Sequence, residues 1–535
     1  MEEGVKMLIK HICNQDSQIY VQVDSDADGY TSAAVLLNYL HQWVPSMVDV
    51  KVSYGFHSGK AHGINLGLIP EGTSLVIAPD SSSSDFDIHE ELYRKGIDVL
   101  VIDHHKAEKI SEYACVINNQ LCDYPTKSLS GVGMVYKFCQ YLDTLINQNL
   151  ADDYLDLVAV GMVADMMSLK DCETHHLIKE GLQNIRNPFV AELIDANSFV
   201  IGDEITPIGI AFGVAPQINA ITRVGTEQEK RTLFEAMLEW KAYESIPSTK
   251  RGCKGQFEKR VDQAIRNCTN VKNKQTKLRD QSLEAIEILI DKNNLLEHQI
   301  LLIKLEEISI DRNLSGLIAN ELSDKYQHPT MILSKYILAD EETGVETIMW
   351  EGSARGVNGS RLEDLRKLVR DSGLAYLAEG HPNAFGVGFF DNNIEAFLNY
   401  SDSILAEIDF SPCYKVDFVY SANELKPKEI IEIGDAKSLW GQDISEPYII
   451  IKNIKITKEN LFLMKRGVMK ITLPNGVDCI KFKSNEEEYD KLYSDSGCVF
   501  ITALGRCSTN YFAGRITPQI KIEKYEIENG FKYNF

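Results

Sequence analysis

The chain has no apolar run of about 18 residues, so no membrane-spanning helix is expected. Its 11 cysteines lie scattered from Cys13 to Cys507 without a C-x-x-C pair. That argues against a zinc site or a disulfide framework and fits a reducing cytoplasm; most of them read as small core residues. The N-terminus, Met1-Glu2-Glu3-Gly4-Val5-Lys6, lacks the apolar core of a secretory signal. Positive charge is also scarce. Against 78 Asp and Glu stand 55 Lys and Arg, a net −23 that by itself argues against a nucleic-acid binder, whose mark is a basic patch. Internal repeats and low-complexity segments are lacking as well.

What is present is the mix of a globular protein: 535 residues, 44% hydrophobic and 25% charged, enough for about three domains. The net charge hides a local reversal. From Lys250 to Arg279, ten Lys or Arg face only Glu258 and Asp262. The competing reading of that stretch is a solvated helix face.

Several apolar runs end in aspartate. Ile19-Tyr20-Val21-Gln22-Val23 reads as a strand, followed by Asp24-Ser25-Asp26-Ala27-Asp28-Gly29 and a helix from Thr31 to Trp43, with Gly29 allowing a tight turn. An EF-hand loop fails here, because no Glu stands at its twelfth position and a strand precedes it. Ser74 to Ala78 leads to Asp80, and Val99 to Ile102 leads to Asp103-His104-His105. The helix-like Leu155–Val163 run leads to Asp165. Short apolar runs of this kind suit parallel strands, whose carboxyl ends gather ligands in open α/β sheets. A single aspartate of this kind reads as a cap or turn. The set reads as one cation site, since burying each charge alone is costly.

Ser130-Gly131-Val132-Gly133 opens a further helix, as a close packing contact or a phosphate cradle. Asn219 and Arg223 are polar groups in an apolar segment, and guanidinium matches phosphate oxygens bidentately. Residues 226–294 read as a polar helical connector. A second α/β pattern begins at Ile300, with small-residue turns expected at Glu351–Gly356, carrying Arg355, and at Glu379–Gly388, carrying His381. From Lys415, short strand-like runs separated by Asn/Gly/Asp/Ser-rich turns predict a small antiparallel barrel or sandwich. Arg506, Tyr511, Phe512 and Arg515 near its end suit strand packing or single-strand binding.

Together these motifs resemble the DHH phosphoesterase superfamily and, within it, the RecJ-like single-strand DNA exonucleases. Asp24–Gly29, Ala78-Pro79-Asp80, Asp103-His104-His105 and Gly161–Asp165 resemble the four motifs of its catalytic domain. Pro216–Arg223 is similar to a RecJ-type segment, Gly352–Arg355 and Gly380–Gly386 resemble the DHH-associated domain, and Gly441–Pro447 resembles the entry to the OB-like domain. Four features depart from the pattern, one of them Arg312-Asn313-Leu314-Ser315-Gly316, a loose version of a RecJ segment that normally has Trp-His. Gln22 stands where several relatives have a metal-binding His, and Thr222 and Glu379 replace glycines.

The resemblance implies an α/β fold class in four parts: a parallel-sheet DHH catalytic domain over 1–235, a helical connector over 236–298, a second α/β, DHH-associated substrate-binding domain over 299–410, and a C-terminal OB-like β-barrel over 411–535. It implies two divalent cations, manganese ahead of magnesium, held by Asp26, Asp28, Asp80, His104 and Asp165. His105 would face the scissile phosphate, Asp103 would orient the histidines, and Asp24 would assist. Asn219, Arg223, Ser353, Arg355, Gly380 and His381 would hold substrate phosphates. The implied activity is 5′-to-3′ hydrolysis of single-stranded DNA to mononucleotides by a cytoplasmic, monomeric enzyme with no membrane attachment. A single-strand-binding protein or a helicase is a candidate partner. Two other readings are a phosphodiesterase of short oligonucleotides, bisphosphonucleotides or cyclic dinucleotides, and a catalytically silent scaffold in a replication or repair complex.

Overall fold

The Val- and Ile-rich runs form strands β1 (Ile19–Val23), β2 (Val52–Phe56), β3 (Leu75–Pro79), β4 (Asp98–Asp103) and β5 (Cys115–Asn118) of one parallel sheet, in the order β2-β1-β3-β4-β5. The structure is a computed structural model that describes residues 1–58, 61–306, 310–339, 346–411, 413–465, 467–493, 497–512 and 514–528. β1 and β3 are buried along their whole length. Alternation of side chains explains why. Ile19, Val21, Val23, Leu75, Ile77, Leu100 and Ile102 enter one core, whereas Tyr20, Val76, Ala78, Val99 and Val101 enter another on the opposite face. Three helices, Ala27–Trp43, Gly131–Ile146 and Leu155–Ala164, close the first face.

The first of these helices starts at Ala27 rather than at the expected Thr31. Asp26 caps it, accepting from the Gly29 amide at 3.0 Å, and a capped end captures residues that apolar periodicity does not mark. Gly29 therefore lies inside the helix and not in a turn before it. A side chain there would overlap Asp24.

The polar connector passes through the short helix Glu239–Ala242 and two short paired strands, β6 (Ser245–Pro247) and β7 (Phe257–Lys259), and continues as the 33-residue helix Arg260–Lys292. Val261, Ala264, Cys268 and Val271 of that helix belong to the first core, together with Leu233, Phe234, Ala236, Met237 and Leu238. Leu283, Ile286 and Ile290 belong to the core beneath the next sheet. The helix is thus a strut shared by two units. Four of the ten cations of its basic stretch are paired: Arg260 with Glu235 and Glu244, Arg266 and Lys250 with Glu258, and Arg279 with Glu321.

Strands β8 (Leu301–Leu305), β9 (Thr330–Ala339), β10 (Glu346–Arg355), β11 (Ala375–His381) and β12 (Ala384–Phe390) form the second sheet, in the order β11-β12-β10-β9-β8. The first expected small-residue turn is strand instead, and the second is a hairpin whose turn is confined to Pro382-Asn383. Arg355 ends β10, where Gly352 lets the backbone approach the Ile332 carbonyl on β9, and His381 ends β11 of a hairpin turned at Pro382-Asn383. Glycine-rich composition misleads here because it marks close strand packing as well as turns.

The third unit comprises β13 (Val416–Ser421), β14 (Tyr448–Ile456), β15 (Leu461–Met464), β16 (Val468–Thr472), β17 (Asp478–Lys481), β18 (Val499–Phe512) and β19 (Arg515–Ile527) around a core of its own. The expected sheet exists, in the order β13-β14-β18-β19-β17-β16-β15, but it is mixed. β13 pairs parallel to β14 and β17 parallel to β19, which departs from an antiparallel pattern. Arg506 is engaged by Glu446, Glu523 and Tyr448, and Tyr511 donates to Asp435; the Phe512 side chain lies outside the described residues. The Leu169 amide of the first unit donates to the Gln442 carbonyl at 3.0 Å, docking the Gly441–Pro447 segment. Among the described residues, no helix is long and apolar enough to cross a membrane.

Candidate metal centre

The sheet order places Asp80, after the central strand β3, between Asp24, after β1, and Asp103, at the end of β4. Asp80 has a φ of 67°, a left-handed conformation that costs a non-glycine residue free energy and tends to be kept where function needs it. Its amide donates to the Ile102 carbonyl at 2.8 Å, which ties it to β4. Asp165 follows the last turn of the Leu155–Ala164 helix, its amide donating to the Gly161 carbonyl at 2.9 Å.

His104 is the point of convergence. Its Nε2 lies 3.3 Å from Asp80 Oδ1 and 3.3 Å from Asp165 Oδ2. All three atoms are buried, and none has a hydrogen-bond partner. Burying three such atoms unsatisfied is expensive unless something else binds them. Ligand atoms on adjacent vertices around an ion with bonds of about 2.1 Å lie about 3 Å apart, so this spacing suits a small divalent cation. Donor groups cluster as Asp80 with Asp103, His104 and His105, as Asp28 with His104 and Asp165, and as Asp24 with Asp26 and Asp80. Aspartates outnumber histidines in that set and oxygen predominates, the donor set of magnesium and manganese rather than zinc.

The charges agree with that fit. Burial raises the carboxyls of Asp28, Asp80 and Asp165 above their ordinary range, and repulsion among the neighbouring aspartates adds to it. Burial, with the charge of His105, lowers His104 to about 4, so it presents a neutral imidazole. Burial alone would lower His105 too, but the hydrogen bond and charge of Asp103, 2.8 Å from its Nδ1, raise it to about 9. Asp103 also accepts from the amides of Ser83, His104 and His105. Its burial is outweighed by those contacts and by His105, which hold its carboxyl well below the usual range.

Asp28 is anchored by three hydrogen bonds from one helix start. It accepts from Ser130 Oγ at 2.8 Å, the Gly131 amide at 2.7 Å and the Val132 amide at 3.2 Å. The glycine-rich helix start that could have cradled a substrate phosphate therefore holds a carboxylate of the chain itself. Gly131 is required for a second reason, since a side chain there would overlap the Asp80 carboxylate.

The expected phosphate-binding residues divide. Arg223 is partly buried and lies in the field of Asp26, Arg355 lies in the field of Arg223, and His381 lies in that of His104. Burial lowers both arginines, and their mutual repulsion lowers Arg355 further. Arg355 is braced by the Ala354 carbonyl at 2.7 Å and lies against Gly316. Asn219 has its Oδ1 committed to the Ala27 amide at 3.0 Å, fixing the start of the Asp26-capped helix. Ser353 shares a hydrogen bond with Ser315, and Gly380 has a φ of 131° in the hairpin strand.

Gln22 stands apart from the centre. Strand alternation turns it to the face of Tyr20, where it accepts from Tyr20 Oη and the Asn65 amide. Two residues that sequence reasoning passed over do approach. His62 Nδ1 lies 2.6 Å from Asp24 Oδ2, and His57 Nε2 lies 3.9 Å from Asp24 Oδ1. The signal available for them was a pair of histidines flanking glycine in His57-Ser58-Gly59-Lys60-Ala61-His62, just after a strand.

Comparison with known proteins follows this geometry. The DHH family, N-terminal domain, matches residues 18–162. A protein of Bacillus subtilis strain 168 named as the SPbeta prophage-derived single-strand DNA-specific exonuclease YorK is 34% identical, over 99% of this chain and 90% of that protein. The single-stranded-DNA-specific exonuclease RecJ of the same organism is 27% identical over 96% of this chain, which spans 62% of it. The structure of RecJ in complex with Mn2+ from Thermus thermophilus superimposes with a TM-score of 0.72 at 18% identity, covering 99% of this chain and 72% of that one.

Proposed function

Because this chain belongs to the DHH family, in its RecJ-like branch of exonucleases, we propose that it removes nucleotides from the 5′ end of single-stranded DNA by metal-dependent phosphodiester hydrolysis. The observation that carries the reading is the convergence of Asp80 Oδ1, Asp165 Oδ2 and His104 Nε2, buried and without hydrogen-bond partners. Asp26, Asp28, Asp80, His104 and Asp165 hold two divalent cations, manganese ahead of magnesium. When bound, the ions supply an activated water and stabilise the departing oxygen. The four carboxylates among those ligands match the total charge of two such ions.

The chain's own groups do the rest. His105, cationic through Asp103, faces the scissile phosphate and donates to a non-bridging oxygen. Asp103 orients the ring, and its four hydrogen bonds keep it from shifting. Arg223 and Arg355 grip substrate phosphates from the first and second units, and His381 approaches from the β11–β12 hairpin. Two guanidiniums that repel one another at partly buried positions are relieved by an anion between them. Asn219 acts through the helix it pins rather than on the phosphate.

The test is digestion of a long 5′-labelled single strand beside a dinucleotide, with manganese. Rapid mononucleotide release from the long strand is expected. Preference for the dinucleotide would favour a small-substrate phosphodiesterase, and binding without cleavage would favour a scaffold. Asp80→Ala is expected to abolish manganese-dependent cleavage without unfolding the chain; an active variant would overturn the assignment.

A further inference from the structure

Asp24 and His62 repeat, on the β1 side of the sheet, the pairing that Asp103 and His105 make on the β4 side. In each pair a carboxylate at the carboxyl end of a parallel strand accepts from an imidazole Nδ1, at 2.6 Å for His62 and 2.8 Å for His105. The side chains match in exposure as well: 56% and 55% for the rings, 1% and 0% for the carboxylates. β3, which leads into Asp80, runs between β1 and β4, so the two pairs flank the metal centre. They also lie close enough to feel one another's charge. His62 lies in the field of Asp26 and of His105, and His105 lies in that of Asp24.

Packing does not account for His62. A ring more than half exposed buries little apolar area, and its fixed point is the Asp24 carboxylate. With Nδ1 so committed, Nε2 is the ring nitrogen left for a ligand. The wall behind it is polar and unsatisfied. Asp24 Oδ1 and both ring nitrogens of His57 are buried without hydrogen-bond partners. The base of the loop is held by Lys230 Nζ, which donates to the His57 carbonyl at 2.7 Å. Gln22 turns away from the centre, so β1 itself brings no imidazole to this edge; the loop after β2 does.

We propose that His62, held by Asp24, is a second substrate-contacting imidazole, gripping a non-bridging oxygen of the substrate phosphate from the β1 side while His105 grips from the β4 side. This rests on the phosphodiesterase chemistry proposed above. Two donors on opposite flanks of one phosphate fix its orientation against the metal ligands, which is where positioning contributes to rate.

The probe is a 5′-phosphorylated pentadecathymidylate with a 3′ fluorophore and a phosphorothioate at its first linkage, in calcium, read by fluorescence anisotropy. Calorimetric titration of Mn2+ and a thermal melt accompany it. His62→Ala is expected to keep the wild-type melt and manganese affinity while weakening probe binding about tenfold, the loss of one charge-assisted hydrogen bond. His62→Gln, whose amide still donates, is expected to fall between, and it carries the test if the alanine variant unfolds. Unchanged probe affinity in these variants overturns the proposal. Loss of manganese affinity overturns it in favour of a metal ligand. If the wild-type protein cleaves no strand yet His62→Ala still weakens the probe, the exonuclease reading fails and the phosphate contact stands.

Discussion

Asp28, Asp80 and Asp165 sit in the folded chain with carboxyls raised by burial and by one another. Their unfolded value is about 3.9, so between that pH and the folded values the native state binds more protons than the unfolded chain. Stability linked to these groups therefore falls as pH rises. In metal-free protein, the melting temperature is expected to drop as pH rises from about 4 through about 6, where Asp28 ionises, and to go on dropping above that as Asp80 and Asp165 follow; Mn2+ is expected to abolish that drop by neutralising the ionised carboxylates. A melt series with and without the ion checks this; a metal-free protein that gains stability over the same range would contradict the centre. These aspartates were readable in the sequence because each ends an apolar run. The Asp24–His62 contact was not, because it joins the end of β1 to the loop after β2, 38 residues apart in the chain.

Two glycines show how whole elements are fitted to the centre. Gly29 sits in the first turn of the Asp26-capped helix, where a side chain would meet Asp24. Gly131 opens the helix whose first amides hold Asp28, and a side chain there would meet Asp80. On an unobstructed helix, Gly to Ala gains about 1 kcal/mol of helix propensity. Gly131→Ala is instead expected to cost about 1–3 kcal/mol, the range for overpacking, and to lower manganese affinity by displacing Asp80. Chemical denaturation and calorimetry measure the two effects separately. Most parallel strands of the first sheet could be anticipated from periodicity, as could the helix leading into Asp165. The start at Ala27 could not, because a cap rather than an apolar face sets it. The strands at Arg355 and His381 were hidden by glycines that serve strand packing. The mixed pairing of the third sheet was hidden too, since β17 and β19 are distant in sequence.

At the scale of the whole molecule, the Arg260–Lys292 helix enters two cores and so couples the sheet that bears the metal centre to the sheet that bears Arg355. That coupling brings Arg355 into the field of Arg223. Arg355→Ala is expected to weaken single-strand binding about tenfold and to reduce the slope of log affinity against log salt by about 0.7, the value for one phosphate contact on a single strand. Titrations at several salt concentrations measure both; an unchanged slope would remove Arg355 from the phosphate path. Four of the ten connector cations, Lys250, Arg260, Arg266 and Arg279, are engaged in ion pairs within the chain, so the local basic excess of the sequence overstates the charge left for a strand.

The triplet Asp103-His104-His105 illustrates the division. Sequence alone determined that an acid and two imidazoles would stand at the end of a buried strand, because local apolar patterning specifies strands and a charge stops them. Only the tertiary structure decided what each does. Strand order set β3 between β1 and β4, which turned His104 toward Asp80 and Asp165, tied His105 to Asp103, and brought His62 to the opposite flank. Those contacts depend on which strands lie side by side, a choice made by packing across the whole sheet rather than by any segment of it.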